Sequence, residues 1–322
     1  RDRVDEVQEL AISIRDKRYL YIRNFMPHLG YNQPTAWPDL GEIRHEFYRL
    51  TDAEKMTSAQ WHFAGPSRPL EELYDCQADP QNLKNLADSV KHSVILKKMR
   101  RQLAANIRGT RDLGFLPEAQ AWELTKGTTP WDLARADGNS YNQQRLVASA
   151  HGIGNATATQ FVRNLRDKDA GVRFWGAVGL SGLEDLSVKP SLLNRVTKTL
   201  GLSGETYSPD EALLEALKDE SITVRIEAAN ALARHGNAKK AIPVLTKALE
   251  SGNLAAVQHA ARTIELLGVT AKAAVPAMKA CDARMKVIRP PGTSPVVVQP
   301  EKDAAMFVIF STEAFLKQHG GK

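Results

Sequence analysis

A chain of 322 residues has room for about two domains, each with its own core. Its hydrophobic fraction of 43% and charged fraction of 25% exclude a collagenous, low-complexity or wholly disordered polypeptide. The longest uninterrupted apolar run, Ala304 to Phe310, is too short to span a bilayer as a helix. Two cysteines, Cys76 and Cys281, cannot make a disulfide framework, or a zinc cage without other ligands. The 43 basic and 37 acidic residues give a net charge of +6. Residues 1–115 carry 18 Lys/Arg against 16 Asp/Glu, and residues 116–322 carry 25 against 21. That thin spread is unlike a phosphate-binding surface, which clusters its cations on one face, so nucleic acid is not expected as a partner.

The chain opens at Arg1 with no initiator Met and reads as the back part of something longer. Residues 9–24, ELAISIRDKRYLYIRN, alternate as a β-hairpin with its turn at Asp16-Lys17. A Pro/Gly/Asn-rich stretch, NFMPHLGYNQPTAWPDLG, predicts an irregular loop. Gly41 to Leu50 has helical spacing, and Thr51-Asp52-Ala53-Glu54 reads as a capping box opening a second short helix. A strand follows from Glu72 to Asp75, then a turn at Asp79-Pro80. A helix from about Val90 to Arg108 carries Ile95, Leu96, Met99, Leu103 and Ile107 on one stripe, with the Lys97–Arg101 charge run on its solvated face. The sheet of this part reads as too small to be independently stable, which suggests a missing neighbour. Residues 112–138, with Pro117, Pro130 and three glycines, read as a connector.

Beyond residue 140 the pattern is helical and the chain repeats itself. Leu165…Asp167…Asp169…Val172-Arg173 is echoed by Leu217…Asp219…Ser221…Val224-Arg225, and again by Leu249…Ser251…Asn253…Ala256-Val257. A small residue lies five positions on (Ala177, Ala229, Ala261) and an aliphatic one eight positions on (Leu180, Leu232, Ile264). Each unit reads as an A helix, a tight turn and a B helix, with an insertion around SVKPSLLNRVTKTLGLSG and a last helix from Asp303 to Gln318. Over roughly 155–320 this resembles bacterial-type HEAT repeats with D-x-x-V-R between the helices. The acids and arginines of the repeat read as caps and inter-repeat pairs rather than a catalytic array. The ladder ends at Val257, where the arginine is missing.

Little else in the chain looks reactive. The eight histidines show no HExxH or similar ligand spacing. Cys76 reads as a small strand residue, HGIGN at 151–155 as a helix-ending turn, and no nucleophile elbow, Walker or dinucleotide loop occurs.

The first 115 residues hold the most specific signal. RDKRYLYIRNF is followed by Leu73-Tyr74-Asp75, Asp79-Pro80 and Asn85-Leu86-Ala87, with Asn82 where an acidic residue is usual. This resembles the C-terminal subdomain of the sulfatase family, and NFMPHLGYNQPTAW resembles its sulfamidase (heparan N-sulfatase) branch. The resemblance implies hydrolysis of sulfate esters or sulfamates on a sulfated glycan, using a formylglycine and a calcium ion held in a larger N-terminal catalytic domain. That domain is the implied partner, and no cofactor is expected in this chain. Ala64-Gly65-Pro66-Ser67-Arg68 mimics C-x-P-S-R, but Ala64 has nothing to oxidise, so the chain alone is expected to be inert. Substrate contact at the pocket rim falls to Arg1, Arg3, Asp5 and Glu6, whose charges suit an anionic amino sugar. A periplasmic or secreted location follows from the resemblance.

The expected architecture is therefore a small α+β subdomain over 1–115 (antiparallel sheet plus helix), a connector over 116–139, and an all-α HEAT-like solenoid over 140–322. The solenoid would dock a protein or a polysaccharide on its concave face. The alternative is a non-enzymatic interaction scaffold.

Overall fold

Alternation of apolar and polar side chains forms the hairpin, β1 (Ala11–Arg15) and β2 (Tyr19–Asn24). The computed structural model describes residues 6–136, 141–184, 208–293 and 300–320. Asp16 closes the hairpin turn: its carboxylate accepts the N–H groups of Arg18 (2.9 Å) and Tyr19 (2.8 Å). A third strand, β3 (Glu71–Asp75), pairs antiparallel with β2 in the order β1-β2-β3. Its register sets Tyr21 opposite Leu73 and Ile22 opposite Glu72. Because strand side chains alternate, Ile14, Tyr21, Glu71 and Leu73 share one face, and Glu72 and Tyr74 the other.

The long excursion between β2 and β3 carries α1 (Glu42–Asp52) and α2 (Ser58–Ala64). The capping box expected at Thr51 is not there. Thr51 lies inside α1 with its hydroxyl bonded back to the Phe47 carbonyl, and Glu54 leaves the helix at φ +54°. The reciprocal cap is Thr57 with Gln60, opening α2. After β3, α3 (Ser93–Thr110) buries Leu96, Met99, Leu103 and Ile107 at the expected spacing.

The connector expected over 116–139 does not run free where the structure describes it. Phe115, Leu116, Leu133 and Leu146 are buried, and α4 (Glu118–Leu124), α5 (Pro130–Arg135) and α6 (Gln143–His151) fold around them. The division into two compact units falls between Gly154 and Asn155, so α6 belongs with the sheet rather than with the solenoid. Phe25, just after β2, packs edge-on against Phe115 and His151, and Arg23 of β2 donates to the Ile153 carbonyl at 2.7 Å. The sequence pattern concealed this because Pro117, Pro130 and Gly152 at the helix ends keep each helix short.

The second unit pairs A and B helices: α7 (Ala158–Asn164) with α8 (Ala170–Ser181), α9 (Pro209–Ala216) with α10 (Ile222–Arg234), and α11 (Ala238–Ala248) with α12 (Leu254–Leu267). A 3₁₀ segment (Gly268–Ala274), α13 (Val275–Ile288) and α14 (Pro300–His319) complete it. Ala177, Ala229 and Ala261, with Leu180, Leu232 and Ile264, are all fully buried, as the repeat required. Each A-to-B turn is built alike: Asp167, Asp219 and Ser251 accept the N–H two residues on, at 2.8, 2.7 and 3.1 Å. Asp169 and Asn253 then cap their B helices through their side chains, whereas Ser221 turns its hydroxyl to Thr223. Arg173 donates to both oxygens of Asp219 in the next repeat (2.7 and 2.9 Å) and to Glu220 (3.0 Å). Where the arginine gives way to Val257, Arg284 of α13 reaches back to the Leu249 and Ser251 carbonyls. The insertion after the first repeat lies outside the described residues.

Two substitutions test this packing. A Cβ at Gly176 would lie 2.9 Å from the Leu165 nitrogen and the Phe161 carbonyl oxygen, both backbone atoms that cannot rotate away. Gly176→Ala is therefore expected to destabilise the second unit by about 1–2 kcal/mol, overpacking outweighing the gain in helix propensity. Asp219→Ala leaves the Arg173 guanidinium, 9% exposed, without its main partner. Denaturant unfolding is expected to register a loss of about 3 kcal/mol. A neutral or stabilising result for either would contradict the packing described.

Candidate functional site

Two neighbouring glutamates on β3 organise the first unit. Glu71 accepts Tyr21 OH (2.5 Å) and a two-point contact from Arg100 of α3. Burial raises its carboxyl, but the bonds from Arg100 and Tyr21 outweigh burial and leave it below the ordinary value. Glu72, on the other face and buried, accepts Tyr74 OH (2.6 Å), Asn24 Nδ2 (2.7 Å) and Tyr31 OH. Burial, reinforced by the bond to Glu72, drives both tyrosines upward, so Tyr31 and Tyr74 remain donors. His62 adds its Nε2 at 3.3 Å from Tyr74 OH and is half-buried. The carboxylate is fully donated to, so this cluster anchors the β2–β3 excursion and presents no nucleophile.

The excursion is held by two buried arginines. Arg68 donates to the Leu29 carbonyl (2.8 Å), the Gly30 carbonyl (2.6 Å) and Glu9, and lies 4.3 Å over the Tyr31 ring. Arg44 donates to Asp39 (2.9 Å), the Gln33 carbonyl (2.5 Å), Tyr48 and Asn32. Burial, with the Asp39 hydrogen bond, raises the Tyr48 hydroxyl to about 12. In the segment Ala64 to Arg68, Gly65 packs so closely on Gly30 that a Cβ on Gly30 would strike the Gly65 carbonyl. The look-alike of a nucleophile motif is thus a backbone clasp. Ala64 has no atom from which a formylglycine is made, and among the described residues no three His, Cys, Asp or Glu converge as a metal cage.

The Leu73-Tyr74-Asp75 motif and its sequel are structural staples. Asp75 takes a two-point contact from Arg18 and the N–H groups of Gln77 and Ala78, ending the strand. These bonds, Arg18 first, hold its carboxyl down at about 2. Asn85 accepts Leu73 N–H (3.0 Å) and Ala87 N–H (3.0 Å) while donating to the Glu71 carbonyl, so it satisfies the edge of β3. Asn82, the departure from the family pattern, sits at φ +54°, a left-handed position that Asn tolerates better than most residues. Its Oδ1 accepts the Cys76 thiol at 3.5 Å, and Cys76 is only half-buried.

Of the four expected substrate contacts, Arg1, Arg3 and Asp5 lie outside the described residues. Glu6 is 3% exposed, and both its oxygens meet the Ala36 N–H at 2.8 Å. The structure brings Glu6 to the loop backbone rather than to open solvent. The sequence reading missed the Tyr31–Glu72–Tyr74–His62 cluster. Two polar residues on one face of a strand were its only local sign.

Comparison with known proteins adds two matches. Residues 211–286 match the HEAT-repeat family. An ulvan-active sulfatase of Formosa agariphila is 34% identical over 119 residues, 37% of this chain and 20% of the relative. The chain thus combines sulfatase-like sequence with HEAT repeats, and spans about a fifth of that relative's length. No solved structure matches. Among the described residues no helix is long and apolar enough to cross a membrane.

The low Asp75 carboxyl has a pH signature. Its folded value of about 2 lies below the ordinary 3.8, so its stabilising effect is complete above about pH 4 and is lost as pH falls toward 2. Asp75→Asn is expected to lower the melting temperature of the first unit at pH 6 and to flatten its dependence between pH 4 and 2. Parallel curves for the two proteins would refute the assignment.

Proposed function

We propose that this chain is the C-terminal part of a sulfatase that removes sulfate from a sulfated glycan, as an ester or a sulfamate. The nucleophilic formylglycine and the calcium ion belong, on this reading, to an N-terminal catalytic domain outside these 322 residues. The observation that carries the reading is the 34% identity to an ulvan-active sulfatase, taken with a motif set that the fold uses to pin the β3 edge. What the first unit contributes is shape. Arg68, Arg44 and the Glu72 cluster fix the β2–β3 excursion, and Glu6 ties the incoming chain to it. Arg1, Arg3 and Asp5 then precede a rigid anchor and are the candidates for sulfate, carboxylate or amine contact at a pocket rim. The heparan N-sulfatase branch and a periplasmic or secreted location complete the proposal. The HEAT repeats serve as a docking tail.

The HEAT match favours a second reading, a non-enzymatic interaction scaffold. The two differ in one assay. The coding sequence upstream of Arg1 is expected to encode C/S-x-P-x-R with several calcium-ligand acids. The longer polypeptide is then expected to release sulfate from a sulfated polysaccharide, while residues 1–322 release none. An upstream sequence without that motif, or a longer polypeptide with no sulfate release from esters or sulfamates, would overturn the sulfatase reading and leave the scaffold.

A further inference from the structure

Charge is not spread evenly along the solenoid. Residues 208–234 hold three Lys/Arg against six Asp/Glu, whereas residues 235–293 hold nine against three. The cations of the second segment divide into two classes. Lys286 lies 2.8 Å from Asp282 and 2.7 Å from Glu313, Lys247 lies 2.5 Å from Glu250, and Arg289 lies 3.0 Å from Asp303. Lys239, Lys240 and Lys272 are exposed and have no carboxylate within ion-pair distance among the described residues. Lys279, also exposed, donates to the Gly320 carbonyl at 3.3 Å.

Their placement is unfavourable for the fold itself. Lys239 and Lys240 occupy the first turn of α11, which has no acidic residue and no side-chain cap. Lys272 lies in the 3₁₀ segment that leads into α13, a helix that also starts without an acid. Cations at a helix N-terminus oppose the helix dipole, so Lys239 and Lys240 weaken the helix they sit on. By contrast, α9 in the acidic segment opens with Asp210, Glu211 and a Ser208 capping box. On α11 the buried residues Ala241, Ile242, Leu245 and Ala248 form one stripe, and Lys239, Lys240 and Lys247 lie on the opposite, outward face. The 3₁₀ segment that carries Lys272 packs on α11.

We infer that this outward face of the last repeats, centred on Lys239, Lys240 and Lys272, binds a sulfated polysaccharide chain. A linear polyanion complements unpaired cations on a convex surface, and its sulfates relieve their repulsion with the helix termini. The large apolar residues most exposed in this unit are the aliphatic Val269 and Val287. The inference rests on the sulfated-glycan reading above. It places polysaccharide contact on the outer A-helix face rather than on the concave face.

The test uses residues 1–322 with dextran sulfate, neutral dextran and mixed-sequence duplex DNA as probes, at physiological salt. The triple variant Lys239→Glu, Lys240→Glu, Lys272→Glu is compared with the charge-matched control Lys84→Glu, Lys91→Glu, Lys97→Glu. Acidic residues in the first turn suit a helix, so the triple variant is expected to keep its melting temperature. Dextran sulfate affinity is expected to fall about tenfold or more in the triple variant and to stay within about twofold in the control, with neutral dextran unbound. Equal losses in both variants, no binding by the parent chain, or duplex DNA bound as tightly through the same lysines would each overturn the inference. Failure here with sulfate release by the longer polypeptide intact defeats this inference alone. Lysine-dependent binding without sulfate release defeats the sulfatase reading alone.

Discussion

Taking a carboxylate out of water is costly unless donors surround it, and β3 sets the half-buried Glu71 beside the buried Glu72. Because consecutive strand residues point to opposite faces, Glu71 and Glu72 cannot share donors. One face must therefore supply Tyr21 and Arg100, and the other Tyr31, Asn24 and Tyr74. That requirement fixes α3 against one side of the sheet and draws the loop carrying Tyr31 onto the other. Arg68 and Arg44 then hold the rest of the excursion by its carbonyl groups, which explains how a stretch rich in Pro, Gly and Asn acquires a defined path.

The solenoid solves a different problem, that of joining helix pairs without leaving polar backbone exposed to a dry interior. A short acceptor side chain at the A-to-B turn, a cap on the B helix and an arginine folded back on the turn's carbonyls form one local device. It is complete with Asp167, Asp169 and Arg173, and recurs without the side-chain cap with Asp219 and Arg225. Because the device is local, it leaves a readable trace at fixed spacing. The pair between Arg173 and Asp219 then couples neighbouring repeats.

This difference in range decides what was legible in the sequence. The hairpin, the α3 stripe and the phase of the repeats all depend on side chains a few positions apart. The burial of Leu133 and Leu146 was hidden, since their helices are too short to show a stripe. The Thr51 box failed because capping chemistry competes with helix continuation, and Glu54 at a left-handed φ ends the helix only after Thr51 is already inside it. Of the candidate site, Glu6 was picked for its charge, but the decisive property is its bond to Ala36 across 30 residues, which no local pattern encodes.

Arg284 gives the solenoid a direction of growth. In the earlier repeats the arginine that closes the turn belongs to the repeat it closes, so extra sequence can enter between units without opening a turn. The chain carries such an insertion after the first repeat. The turn at Leu249 to Ser251 is closed instead by a side chain from α13. Another unit placed between α12 and α13 would carry that guanidinium away and leave the carbonyls open. The turn between α11 and α12 therefore depends on the helix that follows it, whereas the two earlier turns are closed from within their own repeats.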